Sequence, residues 1–172
     1  MMNSVLCRQK VEMKTIQLDV IDLRILAELQ VDGALSNVAL ARRVHLSPSP
    51  CLMRVKALES AGVIQRYVAL ANAAALGLGL NVFINISLKE QSRNALATFE
   101  QRIAEHDAVM ECYLMTGDSD YLIRVVVRDM ADLEKFILEQ LTPIPGIEKI
   151  RSSFALKQVR YKTALPLPTP QG

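Results

Sequence analysis

Between Val44 and Ser47 the sequence allows the chain only His45-Leu46 in which to leave one helical pattern and enter another. The first pattern opens at Ser36 and repeats Val38, Leu40, Ala41 and Val44 along one side. The second opens at Ser47-Pro48, where a serine oxygen caps and a proline at the first helical position gives up an N–H that no helix could use. Two short helices joined this tightly have to cross, which is the arrangement of a helix-turn-helix. In the second helix, Cys51, Leu52, Val55 and Leu58 form the packing stripe, while Ser49, Met53, Arg54, Lys56 and Ser60 lie on the other faces. Gly62 supplies a left-handed end to it, and Val63 to Val68 alternates as a short strand or wing does.

From Arg42 to Arg66 there are five basic side chains (Arg42, Arg43, Arg54, Lys56 and Arg66) against the single acidic Glu59. Phosphates favour such a surface, although a helical hairpin with a solvated basic edge carries the same pattern. Upstream, Leu18, Ile21, Ile25, Leu26 and Leu29 recur at helical spacing behind an Asp19 cap and end at Val31-Asp32-Gly33, giving a third helix to roof the other two. Residues 18–68 thus make up a winged-helix domain.

The charge is concentrated here: residues 1–72 carry nine basic and six acidic side chains, whereas the remainder carries eleven and twelve. A chain of 172 residues, 51% apolar and 22% charged, is long enough for two small cores. It has no apolar run of about 18 residues to cross a membrane. Its first residues lack the apolar stretch of roughly 7–15 residues that export requires. Residues 1–17 read as an arm, with Met13 as a second possible start. Cys7, Cys51 and Cys112 are odd in number and scattered, fitting neither disulfides nor paired metal ligands, and His45 and His106 are isolated. The expectation is a cytoplasmic, nucleoid-associated protein without metal or cofactor.

Residues 69–79, rich in alanine and glycine, read as a linker. From Leu80 onward the pattern changes: Val82, Ile84, Ile86 and Leu88 alternate as a strand, and Ser92 caps a helix carrying Leu96, Phe99 and Ile103. Val109 to Thr116 and Tyr121 to Val127 form a hairpin about Gly117-Asp118-Ser119-Asp120. Asp129 caps a helix whose Leu133, Phe136, Ile137 and Leu141 face inward, and Pro143 to Gly146 breaks it. Ile147 to Val159 supplies a last strand. The order βαββαβ over residues 80–160 predicts a ferredoxin-like α+β sandwich with helices on one sheet face. The other face, with Phe83, Tyr121 and Val125 or their neighbours, stays apolar and calls for a second copy. Residues 161–172 are too proline-rich for regular structure and read as an extended arm, packed on a partner chain or idle.

L-D-V-I-D-L-R-I-L-A-E-L-Q, S-P-S-P-C-L-M-R-V and G-D-S-D-Y, spaced as here, resemble the leucine-responsive regulatory protein/asparagine regulator (Lrp/AsnC) family, the feast/famine transcription factors. The match spans about Leu18 to Leu165. The resemblance implies an N-terminal winged helix-turn-helix on double-stranded DNA and a C-terminal ferredoxin-like effector domain. That domain is implied to dimerise through its sheet and to assemble into tetramers or octamers under control of free amino acids. Ala34 stands where the family usually has an arginine, a departure that bears on one backbone contact and not on the function. On this basis Ser47, Ser49 and Pro50, at the helix start that Pro48 sets, enter the major groove, and Arg54 and Lys56 meet base edges or phosphates. Ser36, Asn37, Arg43 and Arg66 contact the backbone.

The hairpin turn is the effector candidate. In Gly117-Asp118-Ser119-Asp120-Tyr121 the two acidic side chains suit an α-ammonium, backbone N–H groups of the turn an α-carboxylate, and apolar neighbours the side chain. Gly and Asp are equally the ordinary occupants of a tight turn. Met130, Ser152 and Ser153, at matching family positions, line the same interface between dimers. An Asp-x-Asp pair also suits a metal or acid–base chemistry. No nucleophile with a base, no phosphate loop and no nearby histidine accompanies it, so an enzyme is not expected. The competing function is an architectural DNA-binding protein of this fold that senses no ligand.

Overall fold

The structure is a computed structural model and describes residues 17–168. The expected arm over residues 1–17 lies outside these except for Gln17, as do residues 169–172 of the C-terminal one. Two compact units result, one containing residues up to Ala69 together with those from Tyr161 onward, the other Leu70–Arg160.

In the first unit, α1 (Val20–Val31), α2 (Asn37–Arg43) and α3 (Pro48–Ser60) surround Ile25, Leu26, Leu40, Ala41, Val44, Cys51, Val55 and Leu58. Asp19 caps α1: its Oδ1 accepts the N–H groups of Ile21 and Asp22 at 2.8 Å, and the Asp22 carboxylate accepts the Asp19 N–H at 3.2 Å. The short turn predicted after α2 is a left-handed reversal. His45 sits at φ 59°, alone among the described non-glycine residues in having positive φ. The Leu46 N–H donates to the Ala41 carbonyl at 2.9 Å and the His45 N–H to the Arg42 carbonyl at 3.3 Å. Gly62, at φ 73°, ends α3 in the same way, with Val63 donating to Leu58 and Gly62 to Glu59, both at 2.9 Å.

Four expectations for this unit change. Leu52 is 41% exposed, because one residue past Cys51 the helix has turned by about 100° away from the core. Val38 is 48% exposed and does not join the packing side. Val63 to Val68 bends away from the end of α3 and pairs with no strand; Ile64 packs on the helical core and the Tyr67 hydroxyl donates to Glu59 Oε1 at 3.0 Å, so side chains anchor it instead of a ladder. The segment from Tyr161 belongs to this unit. The Gln30 amide accepts the Leu165 N–H at 2.6 Å and donates to its carbonyl at 3.3 Å, standing in for a neighbouring strand, and Leu167 packs on the helical core.

The second unit has the predicted order: β1 (Leu80–Leu88), α4 (Arg93–Ile103), β2 (Val109–Leu114), β3 (Tyr121–Val127), α5 (Met130–Lys135) and β4 (Ile147–Phe154). The strands form one antiparallel sheet in the order β2-β3-β1-β4. Before it, the linker holds one turn of 3₁₀ helix, Ala74–Leu76, closed by Gly77 at φ 75°. Helix α5 continues through a π-helical segment, Phe136–Leu141, where the Thr142 N–H reaches back to the Ile137 carbonyl at 2.8 Å. That wider turn brings Phe136 and Leu141, five positions apart, onto the same buried side. β4 stops at Phe154, short of the expected Val159. Phe154 already lies opposite Val82, and one further bond from Ala155 to Asn81 brings the pairing to within one residue of the start of β1.

The helix-covered sheet face carries Val82, Ile84, Ile86 and Leu88 with Tyr121, Ile123, Val125 and Val127, packed against Phe99, Ile103, Leu133, Phe136 and Leu141. Of the residues expected on the open face, Tyr121 and Val125 are core residues at 1% and 0% exposure, and their neighbours take that place. The open face carries Phe83, Leu122 and Val126, with Arg124 among them bound to Glu111 Oε1 at 2.8 Å.

Candidate DNA interface and effector site

The outward stripe of α3 follows from helical spacing: Ser49, Met53, Lys56 and Ser60, at steps of four, three and four, lie opposite buried Cys51, Val55 and Leu58. Ser47 takes the cap backbone (φ −75°, ψ 157°), yet its hydroxyl makes no cap bond. Pro48 and Pro50 carry no N–H, so of the donors at this helix start only those of Ser47 and Ser49 remain, and a capping oxygen has little to satisfy. Ser47 and Ser49 are exposed at a helix N-terminus, an arrangement that suits a phosphate oxygen.

The basic residues divide into two sets. Arg42, Lys56 and Arg66 are exposed and make no ion pair with a described residue. Arg43 pairs with Glu28 at 2.8 Å, an exposed contact that is cheap to exchange for a phosphate. Arg54, read from sequence as a base or phosphate contact, is turned inward: its Nη1 lies 2.6 Å from Asp19 Oδ2 and 2.8 Å from Asp22 Oδ1. It ties α3 to the cap of α1. The Asp22 N–H first, and Arg54 beside it, hold the Asp19 carboxyl below the usual carboxylate range. Ser36 and Asn37 also have structural partners. The Ser36 Oγ caps α2 through the Ala39 N–H at 3.2 Å, and Asn37 Nδ2 donates to the Pro48 carbonyl at 2.8 Å, fastening the start of α2 to the start of α3.

The effector residues separate in a comparable way. Asp120 is a latch: its carboxylate accepts the Leu88 N–H at 2.7 Å and Gln91 Nε2 at 2.6 Å. The Tyr121 ring lies 4.4 Å, centroid to centroid, from that of Phe99, and its hydroxyl donates to Glu100 at 3.0 Å. Burial first, and then Glu100, push that hydroxyl well above its ordinary pKa. Both residues hold the fold, which leaves Gly117, at φ 130°, and exposed Asp118 in the turn, with the Ser119 hydroxyl donating to Asn85 Oδ1 at 3.2 Å.

Met130 and Ser152 do come together. They line a cavity of about 530 Å³ with Ala131, Leu133, Glu134, Ile137, Leu138 and Phe154. Of these, the sequence marks only those two as effector residues. The apolar members lie on the same helix pattern as the core and carry no separate signal. Ser153 does not belong with them, because it opposes Phe83 on the open face while Ser152 opposes Ile84 on the covered one. The cavity follows the end of β3 at Val127 and the Asp118 turn precedes its start at Tyr121, so a strand of roughly 20 Å separates them within one copy.

Among the described residues there is no cluster of three or more metal-ligating side chains and no helix long and apolar enough to cross a membrane. Residues 18–65 match a family model described as winged helix-turn-helix DNA-binding, and residues 81–165 match one described as the Lrp/AsnC ligand binding domain. The Bkd operon transcriptional regulator of Pseudomonas aeruginosa is 46% identical over 88% of this chain and 99% of its own length. The leucine-responsive regulatory protein of Rhizobium meliloti is 43% identical over 84% and 93%. Among solved structures, a transcriptional regulator from Neisseria meningitidis in complex with L-Met superposes with a TM-score of 0.83 at 40% identity, covering 87% of this chain and 96% of that one.

Proposed function

The chain belongs to the Lrp/AsnC family of DNA-binding transcriptional regulators and is not an enzyme, and from that premise we propose that a free amino acid controls its binding or assembly on specific DNA. The observation that carries this reading is a helix-turn-helix with an open reading stripe on α3, joined in one chain to a ligand-binding domain. The protein works in the cytoplasm, on the chromosome.

One such unit grips one half-site. The open sheet face, with Phe83, Leu122 and Val126, pairs two copies, and their α3 helices then meet half-sites about 34–36 Å or a multiple apart. Pairs assemble further into tetramers or octamers. Ser47, Ser49 and Pro50 enter the major groove and Lys56 reaches a base edge or phosphate. Arg42, Arg43 and Arg66 bind the backbone, while Ser36 and Asn37 keep α2 and α3 in register for it.

The effector is an amino acid with an apolar side chain. Asp118 receives its α-ammonium, the N–H groups of the turn receive its α-carboxylate, and the cavity beside Met130, Ser152 and Phe154 receives the side chain. Since these lie at opposite ends of β3, two copies must contribute to one site, which couples occupancy to assembly. Relatives named for leucine and crystallised with L-Met support the apolar class.

The test is fluorescence anisotropy of the full chain on its own gene's upstream DNA and on scrambled DNA, across a salt series, with each amino acid in turn. Selective binding shifted by an apolar amino acid is the expected result. Selective binding that no amino acid alters would leave an architectural protein.

A further inference from the structure

Met53, 72% exposed against 41% for Leu52, is the more exposed of the two large apolar side chains that α3 shows to solvent, and lies in the middle of the outward stripe between Ser49 and Lys56. Its neighbour Arg54, the residue whose charge would otherwise dominate this part of the helix, is committed to Asp19 and Asp22. The centre of the reading stripe is therefore a thioether, with no charge and no hydrogen to donate. In the major groove guanine, cytosine and adenine present donors and acceptors, each of which would lose its water to Met53 without gaining a partner. Thymine alone among the four bases presents a methyl group.

We propose that Met53 is a specificity-determining residue that reads the C5-methyl of a thymine in each half-site. This rests on the DNA-binding assignment of α3. The flexible, polarisable side chain adapts to a methyl edge, and neighbouring Leu52, 41% exposed, extends the apolar patch along the groove wall. Lys56, one turn further on, keeps the electrostatic share of the contact.

Full-length protein selects duplexes from a randomised pool, and each thymine of a selected half-site is then replaced singly by deoxyuridine, which keeps every base-pair hydrogen bond and removes only the methyl. Anisotropy is measured for the unaltered chain and for Met53→Ala. At one position per half-site the unaltered protein loses about four-fold in affinity, as expected for one buried methyl group. Met53→Ala binds both duplexes equally. The ratio holds between 50 and 200 mM salt, since no counterion is released, and the exposed position leaves the melting temperature of the variant unchanged. Indifference of the unaltered protein to every deoxyuridine, or equal loss by Met53→Ala at the same position, would overturn the proposal while leaving DNA reading intact. If no sequence is enriched at all, base reading by α3 fails, and the role of Met53 fails with it.

Discussion

Arg54→Ala is expected to weaken the helical unit and to spare its electrostatic grip on DNA. The guanidinium spans 2.6 Å to Asp19 and 2.8 Å to Asp22, with side-chain exposures of 33% for Arg54, 51% for Asp19 and 16% for Asp22. A fully exposed pair contributes at most about 1 kcal/mol, while a hydrogen bond to a charged, sheltered group contributes roughly 1.5–3 kcal/mol. This contact lies between the two, since Asp22 is sheltered and Asp19 is not, which sets the loss near ~1.5 kcal/mol. For a unit of this size that lowers the melting temperature by roughly 6–12 °C. The Asp19 carboxyl is held below its ordinary value, so the unfolded chain binds its proton more readily. The contribution is complete above the unfolded value of about 3.9 and is lost as pH falls through the lower folded one. Urea titrations should therefore show a constant gap between the parent chain and Arg54→Ala from pH 5 to 8 that narrows below about pH 4. The slope of log affinity against log salt stays the same. If stability is unchanged and the slope falls by about one, Arg54 holds a phosphate and the inward reading is wrong.

Tyr121→Phe keeps the ring against Phe99 and removes the bond to Glu100, so calorimetry should show a loss of about 1 kcal/mol with the amino-acid response unaltered. An altered response at unaltered stability would put the hydroxyl back in the effector site. Asp118→Ala should do the opposite: unchanged melting, but about tenfold more amino acid for half-maximal effect on DNA binding, the share of one charge-assisted bond. His45→Gly removes a left-handed strain of about 1–2 kcal/mol and adds roughly 0.5–1 kcal/mol of chain entropy to the unfolded state. A net gain of about 0.5–1 kcal/mol in chemical denaturation is expected, and a loss would mean that the imidazole supports the turn.

The fold was legible because each element had both a pattern and a boundary. Ser36, Ser92 and Asp129 cap where expected, and alternation along β1 marks its buried face. Arg124 was an available signal for β3. In an otherwise apolar run it shares a face with Leu122 and Val126, which sends Tyr121, Ile123 and Val125 into the core. Tyr121 lies beside the turn, which offers it as a ligand contact, but that parity buries it. The site residues that changed role are those whose partners are distant in sequence. Nothing near Arg54 announces Asp19 and Asp22, and nothing near Asp120 announces Leu88 and Gln91. Period-2 geometry alone would have parted Ser152 from Ser153. The strand expected at Val63 to Val68 had the right alternation and no partner, and alternation without a partner does not make a ladder.

The Gln30 clamp on Leu165 bears on how the molecule is born. The first unit begins near the start of the chain and is completed by residues that follow the whole of the second. On the ribosome its three helices emerge first, but Leu167 arrives only after the effector domain has been synthesised, a delay of roughly 5–20 s at ordinary elongation rates. Throughout that interval Gln30 is without its Leu165 partner, and the DNA-reading head reaches its finished form last.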